Sequence, residues 1–257
     1  MIGKAKLFIL ISLLFMLGCE GKVVGRKPDT KVVTGPKYVS KGDEAKIVGL
    51  FKYEGAIPET APIDMSSDEI CKQKNPNATS EAVVVNNLML QNVIVYVKDG
   101  PAIQFSYDPP SEPFLLTQNG CQYRPHIVVL QTNQPLKVTT EDETIHNINF
   151  QSSINKGFSR SQLPKGAPVV TTFSKPEIFP LRSNQYAWMR AYVGVFTHPF
   201  FDVTDKDGRF EIEGLMPGEY TIEAWHEKLG IQSIKVTVGA NQTKSVEMTS
   251  ADFRAVN

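Results

Sequence analysis

From about position 45 onward, apolar and polar residues alternate with a period of two, the period of a strand with one face in a core. The pattern opens at Ile47-Val48-Gly49-Leu50-Phe51, ends at Tyr53 and meets a turn signal at Gly55–Pro58. Val83-Val84-Val85 leads into Val93-Ile94-Val95-Tyr96-Val97, closed by Asp99-Gly100-Pro101. Ile127-Val128-Val129-Leu130 and Leu136-Lys137-Val138 bracket the turn Asn133-Gln134-Pro135, and His146, Ile148 and Phe150 alternate with Ile145, Asn147 and Asn149. No stretch carries a long apolar run at helical spacing. The β-branched enrichment and the spacing of turns predict a sandwich or barrel.

The pattern tightens after Pro199. Phe210 and Ile212 alternate with Glu211 and Glu213, and Gly214 to Gly218 form a turn. Tyr220, Ile222 and Ala224 then alternate with Thr221 and Glu223, and Ile234, Val236 and Val238 with Lys235 and Thr237. Strands with one wet face predict a compact antiparallel module. The expected domains are therefore 45–196 and 197–257, meeting near Phe196 without a flexible linker and packed closely. Residues 20–44, rich in lysine, glycine and proline, read as a tether or wrapping arm.

The first nineteen residues have a different pattern. Lys4 and Lys6 precede an uncharged run from Leu7 to Leu17, too short for a membrane anchor and suited to the apolar part of a signal peptide. Gly18-Cys19 at its end resembles a bacterial lipoprotein cleavage box, making Cys19 the lipidation candidate; ordinary cleavage near Gly21 or a retained helix is the alternative. The chain is expected to be exported, to the periplasm or another extracytoplasmic compartment, and held to the membrane by a lipid anchor.

Export changes how the other cysteines read. Outside the reducing cytosol, Cys71 and Cys121 most simply pair with each other. Closing that fifty-residue loop stabilises by about 4 kcal/mol in the chain-entropy model. A metal role is the rival, and it lacks the close cysteine spacing of a zinc site.

Composition narrows the function. Of 257 residues, 41% are apolar and 21% charged, enough for a packed core. Lys plus Arg and Asp plus Glu are 27 each, so no basic excess exists to neutralise phosphates and nucleic acid is not an expected partner. There is no phosphate-cradling glycine loop, no serine elbow and no free cysteine beside a histidine, hence no nucleophile with its activating partner and no enzyme expected. Asp205-Lys206-Asp207-Gly208 lacks the spaced acids of a calcium loop and reads as a hairpin turn.

Several motifs resemble exported bacterial proteins that join a plastocyanin-like (cupredoxin-like) domain to a carboxypeptidase-regulatory-like β-sandwich. The second half carries His198-Pro199-Phe200-Phe201, Thr204 to Phe210, Gly214-Leu215-Met216-Pro217-Gly218-Glu219-Tyr220 and Trp225-His226-Glu227-Lys228-Leu229-Gly230. The first half carries Cys121 to His126, Thr144-Ile145-His146-Asn147 and Trp188-Met189. The resemblance implies an all-β chain: a cupredoxin-like Greek-key β-sandwich, then a small carboxypeptidase-regulatory-like (transthyretin-like) β-sandwich.

It also implies where copper would sit. A blue-copper site needs two imidazoles, a cysteine thiolate and a weak axial methionine. His146 and Met189 stand at two of those places, but Ser183 replaces the thiolate and Tyr186 the second imidazole. No metal and no cofactor are therefore expected. The alternative is copper held at a rearranged site drawing on His126, His146, Met189 and one of His198 or His226. The expected role is a non-catalytic binding or structural subunit of an exported assembly, associated with a redox complex. Its partners would be other exported proteins or further copies of itself, with the aromatics Tyr192, Phe196, Phe200 and Phe201 either at that interface or in the interdomain seam.

Overall fold

The computed structural model describes residues 35–255. The export segment with Cys19, and the arm up to residue 34, lie outside the described residues. In chain order the strands are β1 (Ala45–Lys52), β2 (Val84–Asn86), β3 (Met89–Gln91), β4 (Ile94–Asp99), β5 (Phe114–Asn119), β6 (Gln122–Arg124), β7 (Ile127–Gln131), β8 (Leu136–Thr140) and β9 (His146–Phe150). They continue as β10 (Phe158–Gln162), β11 (Val169–Thr171), β12 (Glu177–Arg182), β13 (Arg190–Phe196), β14 (Phe201–Val203), β15 (Arg209–Leu215), β16 (Gly218–His226), β17 (Gly230–Val238) and β18 (Thr243–Thr249). Among the described residues one α-helix, α1 (Glu69–Lys74), and a 3-10 turn at Ala102–Gln104 interrupt the strands. The fold is all-β, as the alternation predicts.

Two sandwiches result. In the first, the sheet β10-β9-β12-β13-β7 faces the sheet β11-β8-β5-β6 over a core that includes Leu116, Leu130, Val138, Phe150, Phe179 and Val193. In the second, β15-β1-β3-β2, with β18 also on β1, faces β14-β4-β16-β17 over Ile47, Phe51, Val95, Phe210, Tyr220 and Val236.

The sheets distribute the chain differently from the expected split at Phe196. β1 lies between β15, antiparallel, and β18, parallel, while β4 lies between β14 and β16. The N-terminal strands are thus central to the second sandwich. The physical reason is coverage: four or five C-terminal strands leave edges and an open face that β1 and β4 fill. Gly49 shows how close the fit is, since the Phe210 ring on the paired strand occupies its side-chain space, and a Cβ there would sit 2.1 Å from the ring.

Alternate residues of the central strands serve different cores. Val95 and Val97 of β4 point into the second sandwich, and Ile94 and Tyr96 into a third cluster between the sandwiches. Val193 and Val195 of β13 enter the first core, whereas Tyr192 and Phe196 join the same seam. Burial on both faces explains why these strands read as continuous apolar runs. Tyr96 packs on Phe196 at 4.7 Å between ring centroids, and Tyr192 on Trp225 at 5.1 Å. Of the four aromatics suggested for a partner surface, Tyr192, Phe196 and Phe200 are buried and Phe201 packs against the seam cluster. They are intramolecular core.

The described part of the arm wraps. Tyr38 packs edge-on against Phe105 and hydrogen-bonds Glu44, and Lys37 bridges to Ser106.

Candidate functional site

The loop between β12 and β13 carries Ser183, Tyr186 and Met189, the positions that the sequence resemblance reads as degenerate copper ligands, and the fold brings Tyr186 beside His146. The Ser183 hydroxyl accepts from the amides of Gln185 (3.1 Å) and Tyr186 (3.2 Å), closing the loop on itself. The Met189 amide donates to the Tyr186 carbonyl at 3.0 Å, and the Ser183 amide to the Met189 carbonyl at 3.2 Å. His146, at the start of β9, meets the Tyr186 ring edge-on at 5.7 Å. Ser183, Tyr186, Met189 and His146 are all buried.

Tyr186 is committed elsewhere. Its hydroxyl donates to Asp68 Oδ2, which also accepts from Thr144 Oγ1 at 3.1 Å. Burial and then the Asp68 carboxylate raise the phenol above its ordinary pKa, so it stays a protonated donor. Asp68 in turn caps α1, accepting the Cys71 amide at 2.9 Å. Burial pushes the Asp68 carboxyl up, but the bonds from Tyr186, Cys71 and Thr144 outweigh it and hold it low.

The disulfide carries this chain of contacts onward. Cys71 and Cys121 are joined, as expected from the cysteine count. The Cys121 amide donates to Asp142 Oδ2 and the Gly120 amide to Asp142 Oδ1, each at 2.8 Å, and Lys74 of α1 reaches Oδ1 at 2.9 Å. His146 Nε2 lies 2.8 Å from Asp142 Oδ2. Burial pushes the Asp142 carboxyl up, yet these partners win and lower it to about 2. An ionised carboxylate only accepts, so Nε2 carries a proton toward it, and Nδ1 lies on the opposite side of the ring. That Nδ1 is buried without a hydrogen-bond partner among the described residues. Trp188 stacks on Tyr186 at 4.9 Å and donates from its indole to the Cys121 carbonyl at 3.1 Å.

The donor set does not suit blue copper. One imidazole and one thioether remain, and the hydroxyls at the other two positions are a loop-closing acceptor and a donor to Asp68. The distal histidines do not join His146. Among the described residues, one group of three His, Cys, Asp or Glu side chains brings its ligand atoms within 4.8 Å of one another, namely Cys121, Asp142 and His146. His126 instead bonds Glu227 through Nε2 at 2.5 Å. His198 stacks between Phe196 and Phe200, and His226 lies near Phe253. Burial lowers both His198 and His226 to about 4, so they are neutral packing groups at ordinary pH.

A pocket of about 400 Å³ opens at the seam, beside the same loop. Trp188, His126, Glu81, Glu227 and Arg190 are among its lining residues. Glu81 pairs with Arg124, and Glu227 with His126. Asp205 closes a turn, accepting from the amides of Asp207 and Arg209, but the turn passes between sheets rather than closing the expected hairpin, since β14 pairs with β4 and β15 with β1.

Sequence reasoning singled out the loop and His146 but missed Asp68 and Asp142. Asp142 stands four residues before His146, and Asp68 three before Cys71 at a helix start; both spacings were visible signals.

Residues 201–252 match the family described as BOS complex subunit NOMO1-like, second beta sandwich domain. That segment spans β14 to β18. No curated protein matches the chain. Among solved structures it is similar to a Cu-containing nitrite reductase (NirK) from Thermus scotoductus SA-01, at 15% identity over 37% of this chain and 26% of that one, with a TM-score of 0.31. It is also similar to the reduced Cu(I) form of an amicyanin point mutant, at 11% identity over 34% and 91% of the two chains, TM-score 0.30. A purple cupredoxin from Nitrosopumilus maritimus gives 16% identity over 32% and 97%, TM-score 0.28. At these values the likenesses carry no copper with them. The chain is an all-β protein built of two sandwiches.

Proposed function

We propose that this chain is a non-catalytic binding or structural subunit of an exported protein assembly, associated with an extracytoplasmic redox complex, and that its cupredoxin-like sandwich no longer holds copper. One observation carries the reading: the residue in the place of the second imidazole, Tyr186, donates to Asp68 and so belongs to the network that holds α1. The site supports structure where the resembled family performs electron transfer. The second sandwich, read as carboxypeptidase-regulatory-like, supports the assembly role, since the family that matches it is described as a complex subunit. Cys19 would provide the lipid anchor. The partners would be exported proteins or further copies of this chain; with basic and acidic residues balanced, nucleic acid is not an expected partner.

Gentle extraction from native membranes followed by native gel analysis tests this. Migration well above monomer mass, with other exported proteins in the same band, supports the proposal. A clean monomer, unchanged by deleting residues 20–44, contradicts it.

A second reading, copper held at a rearranged site, rests on the buried, unpartnered Nδ1 of His146 near the Met189 loop. Copper bound in the wild type and lost in both His146→Gln and Met189→Leu would favour it.

A further inference from the structure

We propose that the seam pocket beside Trp188 binds an organic cation of the guanidinium class. The inference lies beyond the assembly reading and does not depend on it. The pocket, of about 400 Å³, is lined from four separate segments of the chain. Glu81 precedes β2, His126 stands between β6 and β7, Trp188 lies between β12 and β13, and Glu227 sits in the turn from β16 to β17. It therefore opens where the two sandwiches meet, the kind of junction at which small-ligand sites are commonly found.

Charge and shape set the class of ligand. The carboxylates of Asp64, Glu81 and Glu227 line the pocket against the single guanidinium of Arg190, so the lining favours a cation over an anion. One wall is aromatic and fixed in place. Trp188 stacks on Tyr186 at 4.9 Å between ring centroids, and its indole N–H is held by the Cys121 carbonyl at 3.1 Å. An indole so anchored offers a cation–π contact without first having to be ordered.

An independent observation places the donor group of that cation. His126 is 6% exposed, and its Nε2 is committed to Glu227 at 2.5 Å. Its Nδ1, on the other side of the ring, is buried with no hydrogen-bond partner among the described residues. With Nε2 donating to Glu227, a neutral ring offers Nδ1 as an acceptor. Arg124 holds Glu81 through Oε1, and Glu81 Oε2 lies 4.0 Å from His126 Nδ1. That gap is too long for a hydrogen bond, and a ligand NH₂ group about 2.9 Å from each atom would bridge it with its two hydrogens. Glu81 is partly exposed, so its carboxylate can yield to an entering donor. A guanidinium supplies the charge, the donors on its edge and a planar face for Trp188. An ammonium supplies the first two and lacks the plane.

The test uses the full chain, isothermal titration calorimetry and blocked amino acids as probes. N-acetyl-L-arginine amide should bind saturably, one per chain. N-acetyl-L-citrulline amide, of the same shape without the charge, should bind roughly tenfold or more weakly, and N-acetyl-L-glutamate amide should not bind. Free L-arginine distinguishes the source of the cation. Tighter binding than the blocked probe identifies a free amino acid whose carboxylate meets Arg190, and equal or weaker binding identifies an arginine side chain of a partner; both support the site. Glu81→Gln and Trp188→Leu should each weaken the arginine probe about tenfold, with near-UV circular dichroism following the fold. If either variant does not fold, NMR of the wild type decides: the probe should shift the His126 ring and Trp188 indole signals and leave those of His198 unmoved. The proposal is overturned if the arginine probe does not saturate, if citrulline binds as well, if folded Glu81→Gln binds as tightly as wild type, or if the shifted signals lie away from this pocket.

Discussion

Tyr186 donates its hydroxyl proton to the carboxylate of Asp68, 118 residues earlier in the chain. The bond ties the loop between β12 and β13 to the N-terminus of α1, and through Cys71 to Cys121 and Asp142. At the place the proposed reading gives to a copper imidazole, this chain puts a phenol on a helix cap.

Tyr186→Phe therefore removes a donor from a partly buried carboxylate and should destabilise the chain by about 2 kcal/mol in urea unfolding. Tyr186→Phe combined with Asp68→Asn should cost less than the sum of the single changes, because each removes the same bond. Additive effects would show that the pair is not coupled.

The sharing of strands makes a second expectation. Residues 197–257 expressed alone lack β1 and β4, the central strands of both sheets of their sandwich. That fragment should remain unfolded by circular dichroism and proton NMR. A dispersed β spectrum from it would restore a domain boundary near Phe196. In the full chain, Gly49→Val should destabilise strongly, because the Phe210 ring stands in the way of any side chain.

Acid should weaken the fold in a defined window. His198 and His226 fall from an ordinary value near 6.5 to about 4, first through burial. Below pH 6.5 the unfolded chain takes up protons that the folded chain refuses, so stability falls as pH drops from 6.5 to 4. Each histidine contributes about 3 kcal/mol to that loss. Asp142, lowered to about 2, adds a further loss only below its unfolded value near 3.8. Unfolding free energies that stay flat from about pH 7 to about pH 4, or a slope unaltered by His198→Gln with His226→Gln, would contradict this.

Much of the fold was legible in the alternation, because a period of two reports which side of a strand is buried. The strands around Ile127–Gln131, Leu136–Thr140 and Gly218–His226 follow from it directly. Which sheet a strand joins is another matter. β1 pairs with β18 almost two hundred residues away, and nothing in a strand's own periodicity names so distant a neighbour. The same limit hid half the site. Ser183, Tyr186 and Met189 are local in sequence and could be read off one loop, while Asp68 arrives from a separate excursion of the chain.

If the loop is a cupredoxin loop with two donors exchanged, exchanging them back should restore its chemistry. Ser183→Cys with Tyr186→His should bind Cu(II) and turn blue, using His146 and Met189 as the remaining ligands. A folded double variant that stays colourless would show that the loop does not correspond to the copper-binding one.

The most direct measurement is the copper content of the mature wild-type protein purified from its native host, with Cu(II) then added and the visible spectrum recorded. The account predicts substoichiometric copper and no intense visible band, since Ser183 offers no thiolate. One tightly held copper per chain would contradict it.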